Sequence, residues 1–211
     1  MSKVVVFNQI GDADVLTIQD MQVPAPDANE VQIRVQAIGI NRAEIMYRTG
    51  QYIYQPKFPA CLGYEASGVV ESVGDNVREF APGDYVSVIP AFSFHEYGMY
   101  GEVVNAPAHA VVKHPENLSF EEAAASWMMY VTAFGALVEY ADIKPGDNVL
   151  INAASSSVGL AAIQIANMRG AKPIAMTRTS EKRAQLLQLG AAEVIASQEQ
   201  DLVAEIQRIT E

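Results

Sequence analysis

The chain has one cysteine, Cys61, in 211 residues. That excludes an internal disulfide and any zinc site built from several cysteines. Basic residues are scarce as well: 14 Lys and Arg stand against 25 Asp and Glu, a formal charge of −11. A protein that neutralises nucleic-acid phosphates needs a basic face, so this balance opposes a nucleic-acid partner. It says little against small anionic ligands, because a local pair of cations can act inside an acidic protein. No run of about 18 uninterrupted apolar residues occurs, so neither a transmembrane helix nor a membrane partner is expected. Met1-Ser2-Lys3-Val4 enters a strand pattern directly rather than a signal peptide, and the expected location is the cytoplasm. The three histidines, His95, His109 and His114, show no i, i+4 pairing. Each reads as a surface or satisfied partial-core residue, and Cys61 as a small buried one.

What is present is enough apolar material for one large domain or two small ones, since half the residues are hydrophobic. Residues 1–120 read as short strands and turns. Val4-Val5-Val6-Phe7 and the alternating Val31 to Ile38 are strands, with Pro24, Pro26 and Asp27 breaking the chain between them. Turns follow at Gly74-Asp75-Asn76 and Pro82-Gly83-Asp84, and the single helical candidate is Arg42 to Arg48, ending at Gly50. Many short strands at this spacing predict a barrel-like β domain. The character changes near Ser119-Phe120-Glu121-Glu122, a cap followed by first-turn acids. From 121 to 211 the pattern is helix, helix, strand, helix, strand, helix, strand, helix, which means a parallel sheet with right-handed crossovers.

The most informative stretch lies in this second part. The strand Val149-Leu150-Ile151 runs into Asn152-Ala153-Ala154-Ser155-Ser156-Ser157-Val158-Gly159 and then a helix. Small side chains let a backbone approach the pyrophosphate of a dinucleotide, and the helix N-terminus offers N–H groups and a favourable dipole. Ser155, Ser156, Ser157, Val158 and Gly159 are therefore cofactor-binding candidates. Only Gly159 keeps the G-x-G-x-x-G pattern, so an ordinary strand-to-helix connection with serine caps is the competing reading. The next strand, Lys172 to Met176, is followed by Thr177, Arg178, Thr179, Ser180, Glu181, Lys182 and Arg183. An NAD site places a carboxylate there, about 20 residues beyond the glycines. Thr177 with Arg178 and Lys182 suits a 2′-phosphate instead, so the expected cofactor is NADPH; the alternative is a solvated helix start with Ser180 as its cap.

Eight motifs run in order from Gly39-Ile40-Asn41 to the loop Asn152-Ala153-Ala154-Ser155-Ser156-Ser157-Val158-Gly159, and on them the chain resembles the medium-chain dehydrogenase/reductase superfamily, in its zinc-independent quinone oxidoreductase and enoyl reductase branch. The resemblance is carried by Gly39-Ile40-Asn41, Arg48-Thr49-Gly50-Gln51-Tyr52, Leu62-Gly63-Tyr64-Glu65-Ala66-Ser67-Gly68-Val69-Val70 and Pro82-Gly83-Asp84-Tyr85-Val86. It continues through Gly98 to Val104, Tyr130-Val131-Thr132-Ala133-Phe134, Lys144-Pro145-Gly146-Asp147 and the loop before Gly159. It implies an α/β chain: a GroES-like β-barrel domain over 1–120, then over 121–211 the first half of a Rossmann doubly wound parallel sheet that binds NADP. Zinc-dependent members hold the metal at the positions of Asn41, Tyr64 and near Met128. An amide, a phenol and a thioether are poor ligands for zinc, so no metal is expected.

The implied reaction is hydride transfer to a small-molecule quinone or other α,β-unsaturated carbonyl. Asn41, Tyr52 and Tyr64 are the donors to the developing oxyanion, Tyr47 or Tyr52 the proton relay, and Thr132 the residue beside the nicotinamide. The family's sheet continues beyond the third strand, so the resemblance leaves open a piece of a longer enzyme, an altered gene or a self-associating short form. Val194-Ile195 and the helix faces near residues 160 and 200 are then expected to lack cover, which predicts a homo-oligomer with weak turnover. The alternatives are a catalytically impaired nucleotide-binding or scaffold protein and an alcohol dehydrogenase-like protein.

Overall fold

The first unit runs through β1 (Ser2–Phe7), β2 (Thr17–Met21), β3 (Glu30–Ile38), α1 (Arg42–Arg48), β4 (Ala60–Cys61), β5 (Ala66–Val73), β6 (Tyr85–Val88), β7 (Val103–Pro107), β8 (Val111–Lys113) and α2 (Phe120–Ala125). These belong to a computed structural model that describes every residue, Met1–Glu211. A three-stranded antiparallel sheet has the order β2-β1-β4, and a five-stranded one the order β7-β3-β5-β6-β8. The two are stitched by Val5 N–H donating to Tyr100 O at 2.8 Å and by a bridge from Val4 to Gly101.

Alternation in β3 explains its place. Val31 and Ile33 are fully buried, while Arg34 and Gln36 face out; each such aliphatic side chain contributes about 1.5–3 kcal/mol. Val70, Val86, Val88, Met99 and Val104 complete that aliphatic core. A separate cluster of Phe7, Tyr47, Leu62, Tyr64 and Phe94 gathers beneath α1 and β4. Cys61 is half-buried rather than buried, because β4 pairs only two residues with β1.

The second unit holds α3 (Trp127–Phe134), which enters from the first and continues as a π-helical stretch over Gly135–Tyr140. Then come β9 (Asn148–Ile151), α4 (Ser157–Met168), β10 (Lys172–Thr177), α5 (Arg183–Gln188), β11 (Glu193–Ala196) and α6 (Leu202–Thr210). The strands form a parallel sheet, β11-β10-β9. Its core is largely alanine: Ala154, Ala161, Ala162, Ala166, Ala175 and Ala191 pack with Ile151, Ile163, Leu186 and Val194. Val194 and Ile195, expected to lie uncovered, are 2% and 0% exposed. The reason is local: α5 and α6 both pack against β11. The apolar residues that do face solvent in this unit include Leu150, Met168, Val203 and Tyr140.

The units divide as Met1–Met128 and Met129–Glu211, eight residues beyond the change of pattern at 120. The cause is α2. Ser67 Oγ donates to Phe120 O at 2.5 Å and Ser87 Oγ to Ala123 O at 3.3 Å, which fastens that helix onto β5 and β6. No helix is long and apolar enough to cross a membrane.

Candidate functional site

In the first unit the site is built around the N-terminus of α1. Asn41 is its N-cap, and Glu44, three residues on, reaches back to the Asn41 N–H in a capping box. Glu44 also accepts from Tyr64 N–H at 3.2 Å and from Tyr100 Oη at 3.3 Å. It is only 3% exposed, and burial pushes its carboxyl up to about 7 against the pull of these donors. Asn41 Nδ2 donates to Glu65 Oε1 at 2.8 Å, and Met128 N–H donates to Glu65 Oε2 at 2.7 Å. Glu65 is likewise buried, and burial raises its carboxyl above the usual range. Gly39 makes this possible: a Cβ there would lie 2.3 Å from Glu65 Oε1.

Tyr64 carries this cluster into the aromatic one. Its hydroxyl bonds to Tyr54 Oη at 3.0 Å and Tyr52 Oη at 3.2 Å, with its ring 3.7 Å from that of Phe94. The structure thus joins Asn41 to Tyr64 through Glu44, and Tyr64 directly to Tyr52. Tyr47 is fully buried, stacked at 4.7 Å on Phe94, and its hydroxyl has no hydrogen-bond partner.

Sequence reasoning missed Glu44, Glu65 and Tyr54. The N-x-x-E spacing of Asn41 and Glu44 was a readable capping signal. For Tyr54 the signal was its i, i+2 spacing from Tyr52, which puts both rings on one side of an extended segment.

In the second unit a pocket of about 480 Å³ opens between the loop after β9 and the end of β10, lined in part by Ser155, Ser156, Thr177, Arg178, Glu181 and Lys182. Ser156 is the N-cap of α4 and accepts from Gly159 N–H at 3.2 Å. Ser157 and Val158, in the first turn, have no intrahelical acceptor for their N–H groups. Gly159 is required by close packing, since a Cβ would stand 2.6 Å from Ala154 Cα; this is the third-glycine role of a dinucleotide loop. Ala154 N–H donates to Met176 O at 3.1 Å, joining loop to strand end. Arg178 and Lys182 are exposed and take part in no ion pair, while the Thr177 hydroxyl donates to Thr179 O at 2.7 Å. Ser180 does not cap the following turn: Thr179 holds that place, and Ser180 N–H is taken by Glu199 Oε1 at 3.1 Å. Glu181 is a carboxylate the sequence did not place in the pocket. Thr132 lies on α3, outside this lining.

The donor set at the zinc-ligand positions does not suit the metal. Asn41 is engaged with Glu65 and Tyr64 with two other phenols, and no cluster of three His, Cys, Asp or Glu stands where a cation could be held. The histidines are dispersed: His95 bonds Gln55 O at 2.8 Å, His109 bonds Ala91 O at 3.2 Å, and the buried His114 leaves Nε2 without a partner.

The matches with known proteins follow these two units. Residues 27–116 match the alcohol dehydrogenase GroES-like domain, and residues 157–211 the family described as zinc-binding dehydrogenase. The chain belongs to the medium-chain dehydrogenase/reductase superfamily, in its quinone oxidoreductase branch. A quinone oxidoreductase of Homo sapiens is 39% identical over 201 residues, covering 95% of this chain and 60% of the relative. The crystal structure of the Escherichia coli quinone oxidoreductase complexed with NADPH superposes with a TM-score of 0.87 at 35% identity, covering 99% of this chain and 62% of that one. An NAD-dependent alcohol dehydrogenase superposes with a TM-score of 0.92, also at 35% identity, covering 99% and 67%. The chain spans about 60% of the length of the curated relatives it matches.

Proposed function

We propose that this protein is an NADPH-dependent oxidoreductase that reduces quinones or other α,β-unsaturated carbonyls without zinc. The observation that carries the cofactor assignment is the pocket in which a small-residue loop, a helix start and two unpaired cations, Arg178 and Lys182, converge. The small side chains of Ser155 and Ser156 let backbone approach the pyrophosphate, the closely packed Gly159 holds the helix start against the loop, and Arg178 and Lys182 recognise the 2′-phosphate. When bound, the nicotinamide supplies a hydride.

The chain's own residues then handle the charge that develops on the substrate oxygen. Asn41 Nδ2 keeps one hydrogen beyond that given to Glu65, and Tyr52, half-buried, presents its hydroxyl. We assign Tyr47 to packing. Location in the cytoplasm and assembly as a homo-oligomer through the exposed apolar residues of the second unit complete the reading.

Titration of the protein with NADPH and NADH tests the cofactor. Each of Arg178→Ala and Lys182→Ala is expected to weaken NADPH by about 10-fold, below the unscreened strength of such contacts because both groups are exposed, and to leave NADH unchanged. Equal affinities for the two cofactors would overturn the assignment. A screen of quinones and enones then reads turnover, and elemental analysis of protein purified without chelator reads zinc: one tightly held ion per chain overturns the metal-free reaction. Tight NADPH binding with no turnover on any acceptor would favour a non-catalytic nucleotide-binding protein.

A further inference from the structure

The tyrosine hydroxyls of the first unit form a row, and the row has a direction. Phe94 N–H, which can only donate, gives its hydrogen to Tyr54 Oη at 3.2 Å, and Ser93 Oγ donates to the same oxygen at 3.3 Å. Ser93 Oγ in turn accepts from His95 N–H at 3.1 Å. A phenol has one proton and two acceptor lone pairs. With both lone pairs occupied, Tyr54 directs its proton to Tyr64 Oη, 3.0 Å away. Tyr64 has then accepted, and its own proton goes to Tyr52 Oη at 3.2 Å. Tyr52 makes no other hydrogen bond, so its proton is the free end of the row.

Packing holds the geometry. Tyr52 and Tyr54 meet edge to face at 5.1 Å, and Tyr64 lies against Phe94 with 6% of its surface exposed. Burial raises the Tyr64 phenol far above its ordinary range, so Tyr64 remains a donor.

We infer that Tyr54 and Tyr64 are positioning residues that fix Tyr52 as the outward proton donor to an oxyanion, a role that rests on the reductase reading. As hydride adds to the acceptor carbon, the carbonyl π pair moves onto oxygen. The Tyr52 O–H bond breaks, and its proton joins that oxygen. The phenolate left on Tyr52 accepts the Tyr64 hydrogen bond, which Tyr54 and the Phe94 N–H support in sequence; solvent then returns a proton to Tyr52. Hydrogen bonds that polarise one another in a row strengthen the last donor.

The test uses 4-nitrophenolate, an unreactive oxyanion, titrated against the full chain and read by its absorption band. Tyr54→Phe keeps the ring and removes the donor, and is expected to weaken binding by about 5- to 10-fold. Tyr64→Phe should cost as much, with the double substitution no worse than either, because a row broken once is already broken. Tyr52→Phe should abolish binding. Replacing Tyr54 by 3-fluorotyrosine, nearly isosteric and a stronger acid, should tighten binding beyond the unmodified protein, a trend that a purely structural role does not produce. No binding of nitrophenolate, equal affinity across the series, or additive losses would overturn the relay. Quinone reduction by the same proteins is read separately: an intact affinity series without turnover sustains the relay and sinks the reductase reading.

Discussion

The two units place their polar chemistry differently. In the first, carboxyls and phenols are inside: Glu44, Glu65 and Tyr64 are buried, each held by named donors among aromatic rings. In the second, the core is alanine and aliphatic side chains, and the polar groups stand at the mouth of a pocket formed by loop and strand ends. Rings with one hydroxyl each impose direction and carry few alternative arrangements, which suits a group that must act on one atom. Small side chains impose little shape of their own and bring backbone close to backbone, which suits an extended, charged ligand.

The largest expected break in this comparison is its response to pH. Burial lifts Glu44 to about 7 in the folded protein from an ordinary value of 4.5. The folded state therefore holds that proton more tightly than the unfolded chain, and stability falls as pH rises from about 4.5 to 7, by about 3 kcal/mol for this group. Glu65 shifts in the same direction. In the second unit Asp142 is lowered by Lys144, and Glu199 by hydrogen bonding to Ser180. Their contribution is present above the ordinary carboxylate range and fades as pH falls through it. Amide hydrogen exchange, corrected for its intrinsic pH dependence, is expected to show β5 losing protection from pH 5 to pH 8 while β10 changes little, and Glu44→Gln to flatten the trend of β5. Parallel trends in the two strands would show that the buried acids do not set the stability of the first unit.

A somewhat smaller effect isolates the second unit. Gly159→Ala puts a methyl group 2.6 Å from Ala154 Cα and 2.7 Å from Ala153 O, both backbone atoms. Overpacking of this kind costs about 1–3 kcal/mol, and the loop must withdraw from the pocket. Denaturant unfolding followed at β10 amides should record the loss together with weakened NADPH binding, while nitrophenolate affinity in the first unit stays as it was. Unchanged NADPH affinity would mean that the loop does not contact the cofactor.

The smallest change sharpens the picture of the aromatic cluster. Tyr47→Phe removes a hydroxyl that is fully buried and has no hydrogen-bond partner, so stability should stay the same or rise by up to about 1 kcal/mol. Turnover should not change. A marked fall in kcat with unaltered stability would return Tyr47 to the proton path.

Much of the fold was legible in the residues because periodicity and capping are local. Helix α1 occupies Arg42–Arg48, the segment expected, and the helix and strand order from 121 onward is the one observed. Strand β2 was not legible: all of Thr17–Met21 is exposed, so backbone pairing with β1 holds it, with no buried face to mark it. The attachment of α2 was not legible for a related reason, since the hydroxyls that fasten it come from Ser67 and Ser87, far away in the chain.

By itself, the sequence determined the family, the two-part architecture, the small-residue loop closing on Gly159 and the cations Arg178 and Lys182 beyond β10. Each of these is a matter of residue type at short spacing. Only the tertiary structure decided that Glu44 joins Asn41 to Tyr64 while Glu65 takes the Asn41 amide, that Tyr47 is sealed in the core, and that Tyr54, Tyr64 and Tyr52 form one directed row. Hydrogen-bond direction depends on which lone pairs are already filled, and Tyr54's are filled by Ser93 and Phe94, some forty residues along the chain.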